Sequence, residues 1–476
     1  MRRILRADFE QVHLLPPSVE EWVGPRHAAR FIREFVESLD LSQLGIAQPN
    51  AEEGGECYGS ELLLSVWLFG YWRRVRTTRK LEDACANDLG FIWLSGNHRP
   101  DHHALWRFWD ANKAVLRRLF KRTVQVALKL ELVEMVTQVI DGTKILAACS
   151  QWGRHDREHN AGLLAKLEQV IDELEKEIAS APAEPQRAAE LEATLGQQQV
   201  LRQKVRAALE QIEAGETKYV HRQEPQARRM KTRGRNGFAY NAQIVVDAAQ
   251  SVITAQEVVS DQNDEYQLCA MMQAAEATTA QVARQTLADC GYSTLSQLAT
   301  AAQQSTSTLY VPLPPRVQNQ DQRPYHCSQF QWEAQRDVVI CPQGRELKLH
   351  HLRQRSGQTI RVYRDSKVCA DCPVRSQCTK DRHGRSIDIG PHWHQLNAHR
   401  EHMASEHSRT LSKQRGAIVE RVFGHIKAHW GFNRWSAKGL ANVRAQWDLL
   451  CSTWNLSRLF SRWQQNPELF CGVRMT

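Results

Sequence analysis

The sequence predicts an α/β protein: a mixed sheet core behind a helical N-terminal region, interrupted first by a helical hairpin and later by a cysteine-containing segment. Three observations carry this. Apolar runs of strand length end at Asp141 and Asp289, and two more strand-like runs, 238–247 and 251–259, lie between them. Ahead of those runs, Leu164, Leu167, Ile171, Leu174 and Ile178 recur at 3-4-3-4 spacing, and Leu191, Leu195, Gln198, Arg202, Val205, Leu209 and Ile212 continue in heptad register. After Asp289, four cysteines, Cys341, Cys369, Cys372 and Cys378, gather before a helix-like stretch around Glu420.

A chain of 476 residues is long enough for two to four domains with substantial cores. Its formal net charge of +9 favours association with a polyanion. The excess is local: Arg73, Arg74, Arg76, Arg79 and Lys80 form one cluster, and Arg228, Arg229, Lys231, Arg233 and Arg235 another. Twelve cysteines spread over ordinary composition do not make a disulfide scaffold, and the cluster of four suits a metal site in a reducing compartment. No long apolar stretch follows Met1, and the most apolar run, 62–72, is too short for a bilayer and broken by Ser65 and Gly70. The expectation is a soluble cytoplasmic protein with no membrane partner.

Residues 1–131 read as a helical, DNA-binding region. Pro25 sits in the first turn of a helix that places Phe31, Phe35 and Leu39 on one face. Residues 62–72 form a buried helix, Thr77 or Thr78 caps the next, and Asp101 caps one through Trp106, Phe108 and Leu116. With its basic turn this is either a helix-turn-helix DNA reader or a bundle with a solvated basic edge. The core is expected from 132–150, 217–315 and 405–465. A strand over 132–140 delivers Asp141, the two runs above form a hairpin, and Asp264 starts a helix. A strand over 285–288 ends at Asp289, 293–302 is helical, and 309–313 is a last strand. That is the element order of an RNase H-like sheet, in which the first and fourth strands are neighbours. Residues 151–216 read as an antiparallel helical hairpin, broken by Pro182 and Pro185, that serves as an arm for DNA or a second subunit. Residues 316–404 form the cysteine-rich insertion.

A carboxylate at a strand end is held rigidly with its oxygens exposed, as a magnesium ligand requires. Asp141, Asp289 and Glu420 meeting in space would hold two Mg²⁺ (or Mn²⁺) ions, an apparatus for cutting and joining phosphodiesters. Each aspartate alone could equally cap a turn, Asp-Gly being an ordinary turn dipeptide. Lys427, seven residues after Glu420 on one helix face, would touch phosphate, and Arg415, preceding that helix, could contact DNA. Cys341, Cys369, Cys372 and Cys378 suit a structural tetrahedral Zn²⁺ or remain free thiols, with Cys327 able to replace Cys341. His425 and His429, His102 and His103, and His392 and His394 read as ordinary polar or DNA-facing residues. Trp430, Trp447 and Trp454 read as core, whereas Trp435, between Arg434 and Lys438, could stack on a displaced base.

Together these stretches resemble bacterial insertion-sequence transposases of the DDE class. The resemblance is carried by Cys57-Tyr58-Gly59 to Lys80-Leu81-Glu82, Leu94-Ser95-Gly96 to Arg107-Phe108, residues 139–145, and Tyr240-Asn241-Ala242-Gln243 to Asp247. It continues through Asp289-Cys290-Gly291-Tyr292, Cys341-Pro342-Gln343-Gly344, residues 369–379, and 420–427 with Asn455-Leu456. It implies an RNase H-like core, Asp141, Asp289 and Glu420 as catalytic triad, and Lys427 as partner of the glutamate. It also implies metal-dependent cleavage at transposon ends, strand transfer into target DNA, double-stranded DNA as partner, and a homo-oligomer on that DNA. Two places depart from the family: Glu224-Pro225-Gln226-Ala227 where relatives often have Asp-Pro-Asp-Ala, and Cys290 where a small or basic residue is usual. The alternatives are a catalytically silent DNA-binding regulator derived from such an enzyme, against which the intact triad and Lys427 count, or a magnesium nuclease that hydrolyses without joining.

Overall fold

A computed structural model of the chain describes residues 18–49, 57–152, 155–180, 185–215, 217–232, 234–314, 325–355 and 357–468. Its central sheet contains β1 (Thr137–Leu146), β2 (Arg228–Thr232), β3 (Arg235–Asp247), β4 (Ile253–Val259), β5 (Gln285–Leu287) and β6 (Thr308–Tyr310). The order is β2-β3-β1-β5-β6, with β4 also paired to β3. β3 runs antiparallel to β1 and to β4, whereas β5 and β6 are parallel to their neighbours. The path β4-β3-β1-β5-β6 is that of an RNase H-like sheet.

Several details differ from expectation: the first strand begins at Thr137 rather than near 132, and the basic segment Arg228–Thr232 is itself a strand. Asp141 does not end its strand: β1 continues to Leu146 because the long β3 pairs with it as far as Leu146↔Ala239. Asp264 does not start a helix, since the first turn of α10 (Leu268–Thr279) begins at Leu268. The parallel pairing of β1 with β5 stops at Val139↔Leu287. Two residues further along each strand stand Asp141 and Asp289, side by side at one edge.

The N-terminal region folds as α1 (Ala28–Glu37), α2 (Leu41–Leu44), α3 (Ser60–Trp72), α4 (Thr78–Asn87), α5 (Leu89–Leu94), α6 (His102–Asn112) and α7 (Leu116–Lys129). The helix capped by Asp101 stops at Asn112, and Leu116 opens a new one. α8 (Arg157–Ser180) and α9 (Pro185–Glu213) pair through Leu167, Ile171, Val205 and Ala208. They run antiparallel, because the ion pairs Arg157–Glu213, Arg206–Glu168 and Arg187–Glu177 join the start of one to the end of the other. α11 (Leu295–Gln304) lies between β5 and β6.

A second sheet, β7 (Gln331–Glu333), β8 (Val338–Ile340), β9 (Glu346–Arg355), β10 (Gln358–Tyr363) and β11 (Ile387–Ile389), has the order β11-β10-β9-β8-β7. It has its own core around Phe330, Val339, Leu347, Tyr363 and Trp393. The short helices α12 (Ser366–Ala370) and α13 (Arg375–Cys378) sit beside it. The chain then returns as α14 (Trp393–Ala404) and α15 (Glu406–Gly424), passes through a π-helical turn (His425–His429), and ends in α16 (Leu440–Gln465). No helix among the described residues is long and apolar enough to cross a membrane.

α16 fastens the N-terminal helices to the sheet. Phe31, Trp67, Leu119, Ile244, Trp447, Trp454 and Trp463 belong to one buried cluster. The departure at Glu224 has a structural role here. Its carboxylate is fully buried, accepts from the Tyr240 hydroxyl at 2.7 Å and from the Gly439 amide at 3.1 Å, and so caps the start of α16. Gln226 Oε1 takes the next amide, that of Leu440, at 3.0 Å.

A polar lock crosses the same junction. Arg117 on α7 donates through Nε to Asp448 on α16 at 2.7 Å and through Nη1 to Glu257 on β4 at 3.2 Å. Gln256 donates to the same Asp448 oxygen. Burial opposes the Arg117 charge, but the two carboxylates outweigh it and raise its pKa. Asp448 lies deeper, and burial pushes it up to about 7 against the opposing pull of Arg117. The folded state therefore binds this proton more tightly than the unfolded chain. The contribution is full below about pH 4 and is lost as pH rises through about 7. Wild type should accordingly lose stability relative to Asp448→Asn between those limits, by on the order of 1.4 kcal/mol per pH unit at most. Urea midpoints of both proteins at about pH 5 and pH 8 check this, and a pH-independent difference would contradict it.

Candidate active site

Asp141 stands on β1 and is mostly buried, with Oδ1 accepting the Gly142 amide at 2.8 Å and Oδ2 accepting Arg415 Nη1 at 2.8 Å. Asp289 follows β5 and caps the turn Cys290–Tyr292, its Oδ1 accepting the Gly291 amide at 2.7 Å. Burial pushes the Asp141 carboxyl up to about 6; Arg415 pulls it down, and the negative charge of Asp289 adds to the rise. The two carboxylates that the sequence singles out thus share one electrostatic site.

A third aspartate belongs to the same edge. Asp264 Oδ1 accepts from Lys144 Nζ at 3.0 Å, from Asn241 Nδ2 at 2.7 Å and from Gln243 Nε2 at 2.6 Å. Gln243 Oε1 in turn accepts from the hydroxyl of Tyr292, which is fully buried. Burial holds the Tyr292 phenol well above its usual range, and Asp264, Asp141 and Asp289 each raise it further. Sequence reading missed Asp264 because a lone aspartate before an apolar run reads as a helix cap. A signal was present: Asn241 and Gln243 are polar at i, i+2 inside the otherwise apolar β3, so both face the same side of the sheet.

Gly142 makes room for this arrangement. A Cβ there would collide with the Gln243 side-chain amide and come within 2.8 Å of Asp264 Oδ1. Asp141-Gly142 is therefore a strand segment with close side-chain approach, not a turn.

α15 packs on β1, β5 and β6 with Val419 and Val422 buried. Arg415 does not precede this helix but lies inside it, one turn before Val419, and so reaches Asp141. Glu420 is exposed, on the neighbouring stripe with Gly416. Among the described residues no three His, Cys, Asp or Glu side chains converge closely enough to hold a metal. The sheet edge thus places Asp141, Asp289 and Asp264 around the Tyr292 hydroxyl without joining them into a metal-holding cluster, and Glu420 is exposed on α15. The residues nonetheless suit divalent cations. Several carboxylates crowd one edge, and two side-chain cations, Arg415 and Lys144, neutralise them.

Lys427 lies on the π turn, whose wider winding takes it out of strict i+7 register with Glu420. It lines a cleft of about 740 Å³ with Gly142, Thr143, Lys144, Lys231 and Arg235. Of the remaining basic residues, Arg79 and Lys80 are exposed on α4, and Arg73 stands 3.5 Å from Asp88. Arg74 Nη2 lies 3.0 Å from His429 Nε2. Arg76 is turned inward, donating to the Trp430 carbonyl at 2.8 Å beneath the Phe432 ring. Arg228 donates to the Pro225 carbonyl, and Arg229 lies over Tyr219. Arg233 lies outside the described residues.

Trp435 cannot stack on a base: it is 2 % exposed and packs against Phe432 and Trp447, as Trp430 and Trp454 pack on each other. His425 rests against Trp430 and Trp454, His102 faces Glu82, and His394 stacks on Trp332.

The four cysteines lie within electrostatic reach of one another beside the core of the second sheet, though as placed no three of them stand close enough to hold a metal. Cys341 opens a turn closed by Gly344 N to Cys341 O at 2.8 Å. Arg345 ties that turn to the other three, donating to Val368 O at 2.6 Å and Asp371 O at 3.2 Å. Gly384, at φ +87°, lies so close that a Cβ would stand 2.9 Å from Cys369 Sγ. Burial raises the Cys378 thiol, Arg385 opposes this, and Cys369, Cys372 and Cys341 raise it further. Cys327 stands elsewhere, beside Arg400.

An RNase H-like sheet with neighbouring aspartates at its edge and a basic cleft beside them defines an enzyme of phosphodiester chemistry. Residues 17–111 match the family described as transposase domain (DUF772), and residues 340–460 match the family described as transposase DDE domain. The chain is a DNA transposase of the insertion-sequence DDE class, an enzyme of metal-dependent DNA cleavage and strand transfer. No curated protein and no solved structure matches it.

Substituting Gly142→Ala should lower the unfolding free energy by about 1–3 kcal/mol, because the Gln243 and Asp264 side-chain ends it would meet are tied to Asn241, Lys144 and Tyr292 and can shift only by breaking those bonds. Gly162→Ala, on α8 with nothing within 4 Å, should leave stability unchanged or raise it by up to about 1 kcal/mol. Denaturant midpoints compare the two, and a stable Gly142→Ala protein would show that the edge is looser than described.

Proposed function

We propose that Asp141, Asp289 and Glu420 are the catalytic triad of this transposase and hold a pair of Mg²⁺ (or Mn²⁺) ions. The observation that carries this is the level placement of Asp141 and Asp289, each two residues past the last pairing of two adjacent parallel strands, with a guanidinium on Asp141. The pair of ions, when bound, supplies Lewis-acid activation of the attacking oxygen and stabilisation of the leaving 3′ oxygen. Arg415 keeps the Asp141 charge compensated until then and can move to a DNA phosphate. Glu420 is exposed one residue after the buried Val419 on the same helix as Arg415, and its carboxylate would have to turn toward Asp141 to complete the triad. Lys144, Lys231, Arg235 and Lys427 would hold backbone phosphates along the cleft. Arg73, Arg79 and Lys80 would meet the flanking duplex.

The same pocket would cut at the element's ends and then join the freed 3′-hydroxyl to target DNA. Two ends must be brought together, so a homo-oligomer on DNA in the bacterial cytoplasm is proposed, with the α8–α9 arm as a contact. Asp141→Asn, Asp289→Asn and Glu420→Gln should each reduce magnesium-dependent cleavage of end-bearing DNA by roughly a hundredfold or more. Metal-free DNA binding in a mobility-shift assay should stay within about threefold. Cleavage near the wild-type rate by any one variant would remove that residue from the triad. Strand transfer of pre-cut ends distinguishes a transposase from a nuclease.

For the second sheet we propose a structural Zn²⁺ on Cys341, Cys369, Cys372 and Cys378. Four thiols within electrostatic reach of one another support it, and a cysteine-only set leaves no open position for catalysis. Elemental analysis of protein purified from zinc-supplemented cells should give about one zinc per chain, lost in Cys369→Ser/Cys372→Ser. A zinc-free wild type would mean four free thiols.

A further inference from the structure

Among the described residues, Trp152 is 87 % exposed, far more than any other tryptophan. Tryptophan is seldom left in water, since it carries the largest apolar area of any side chain. Nor is it exposed through looseness. Its neighbour Gln151 accepts the Phe238 amide at 2.7 Å and donates to the Cys149 carbonyl at 3.2 Å, pinning the chain to β3. On the other side His155 Nε2 lies 2.9 Å from the Trp152 carbonyl oxygen. His155 is itself buried, with its ring against those of His221 and Phe238. The backbone is thus clamped on both sides while the indole stands in solvent.

The indole lines the cleft that Gly142, Lys144, Lys231, Arg235 and Lys427 also line, and Gly142 follows Asp141 directly on β1. An aromatic face carried on a pinned backbone among cations, next to the strand of the proposed catalytic Asp141, has a fitting chemical counterpart. It is a nucleobase out of its pair, with the neighbouring phosphates on the lysines. A base inside a duplex has both faces covered by its neighbours. We propose that Trp152 is a stacking platform for one unpaired base of the strand whose phosphodiester lies at Asp141, and that it positions that strand for cleavage. This rests on the catalytic reading of Asp141.

The test uses full-length protein without metal, a fluorescent single-stranded oligonucleotide of about 12 nucleotides, and a blunt duplex of equal length. Trp152→Ala should weaken single-strand binding by about tenfold and duplex binding by less than about twofold, and Trp152→Phe should restore the former to within about threefold. The salt dependence of binding should keep its slope in Trp152→Ala, because no phosphate contact is lost, whereas Lys231→Ala should lower it. Unchanged single-strand affinity, equal loss on both DNAs, an altered slope, or a changed oligomeric state without loss of single-strand binding would each overturn the proposal. Magnesium-dependent cleavage of end-bearing duplex by wild type is measured in parallel. Active wild type with unaltered single-strand binding by Trp152→Ala sinks this inference alone, and inert wild type sinks the catalytic reading together with it.

Discussion

Asp141, Asp289 and Asp264 all bear on one buried phenol, that of Tyr292, and their repulsion is the constraint around which this edge of the sheet is arranged. Asp141, with Asp289 beside it at the end of the neighbouring strand, is pushed toward its protonated form as water is withdrawn. The chain answers with cations on both flanks. Arg415 comes from the helix laid across the strands, and Lys144 comes from β1 itself, three residues beyond Asp141. Asn241 and Gln243 spread the remaining charge of Asp264 through amide donors. Gly142 keeps that network within reach of Asp141, since any side chain there would push it away. The divalent cations proposed for this site would exchange with protein charges already in place, so binding them need not create the electrostatic demand.

Strand order was legible in the sequence because apolar runs of strand length alternate with helical spacing, and because the runs ending at Asp141 and Asp289 mark the first and fourth strands. The extent of β1 was not, because a strand stops where its partner stops. β3 continues to Arg235, and β1 is carried past Asp141 with it. Side-chain direction was the other blind spot. Arg76 counts toward a basic cluster in sequence, but the turn after α3 aims it at the Trp430 carbonyl. Trp435 sits between basic residues and reads as available to a base, yet it closes the core, while Trp152, which no sequence pattern singles out, stands in solvent. Neighbours in sequence report composition; exposure is decided by elements far along the chain.

The N-terminal helices and the site are parts of one packed body. The turn bearing Arg74 and Arg76 touches His429 and Trp430, the end of the π turn that carries Lys427. The Arg117 lock and the Glu224 cap fix α16 against α7 and β4 from two directions. A load applied to the basic turn by DNA therefore has a short covalent and hydrogen-bonded route to the cleft, with no linker between them to absorb it.

The cysteine-bearing sheet bears on the same geometry by a different route. Trp393, at the start of α14, is part of its core, and α14 leads directly into α15 with only Ser405 between them. The direction in which α15 crosses the strands is thus set at one end by the second sheet and at the other by Val419 and Val422 against β1. Arg415 and Glu420 lie between these anchors. If the four thiols were free to separate, the Arg345 latch would be the main polar tie left between the Cys341 turn and α12, and the entry point of α15 would loosen with it. The proposed zinc, far from any reacting oxygen, would in this way govern the site, because it would stiffen the frame from which the guanidinium and the glutamate are projected.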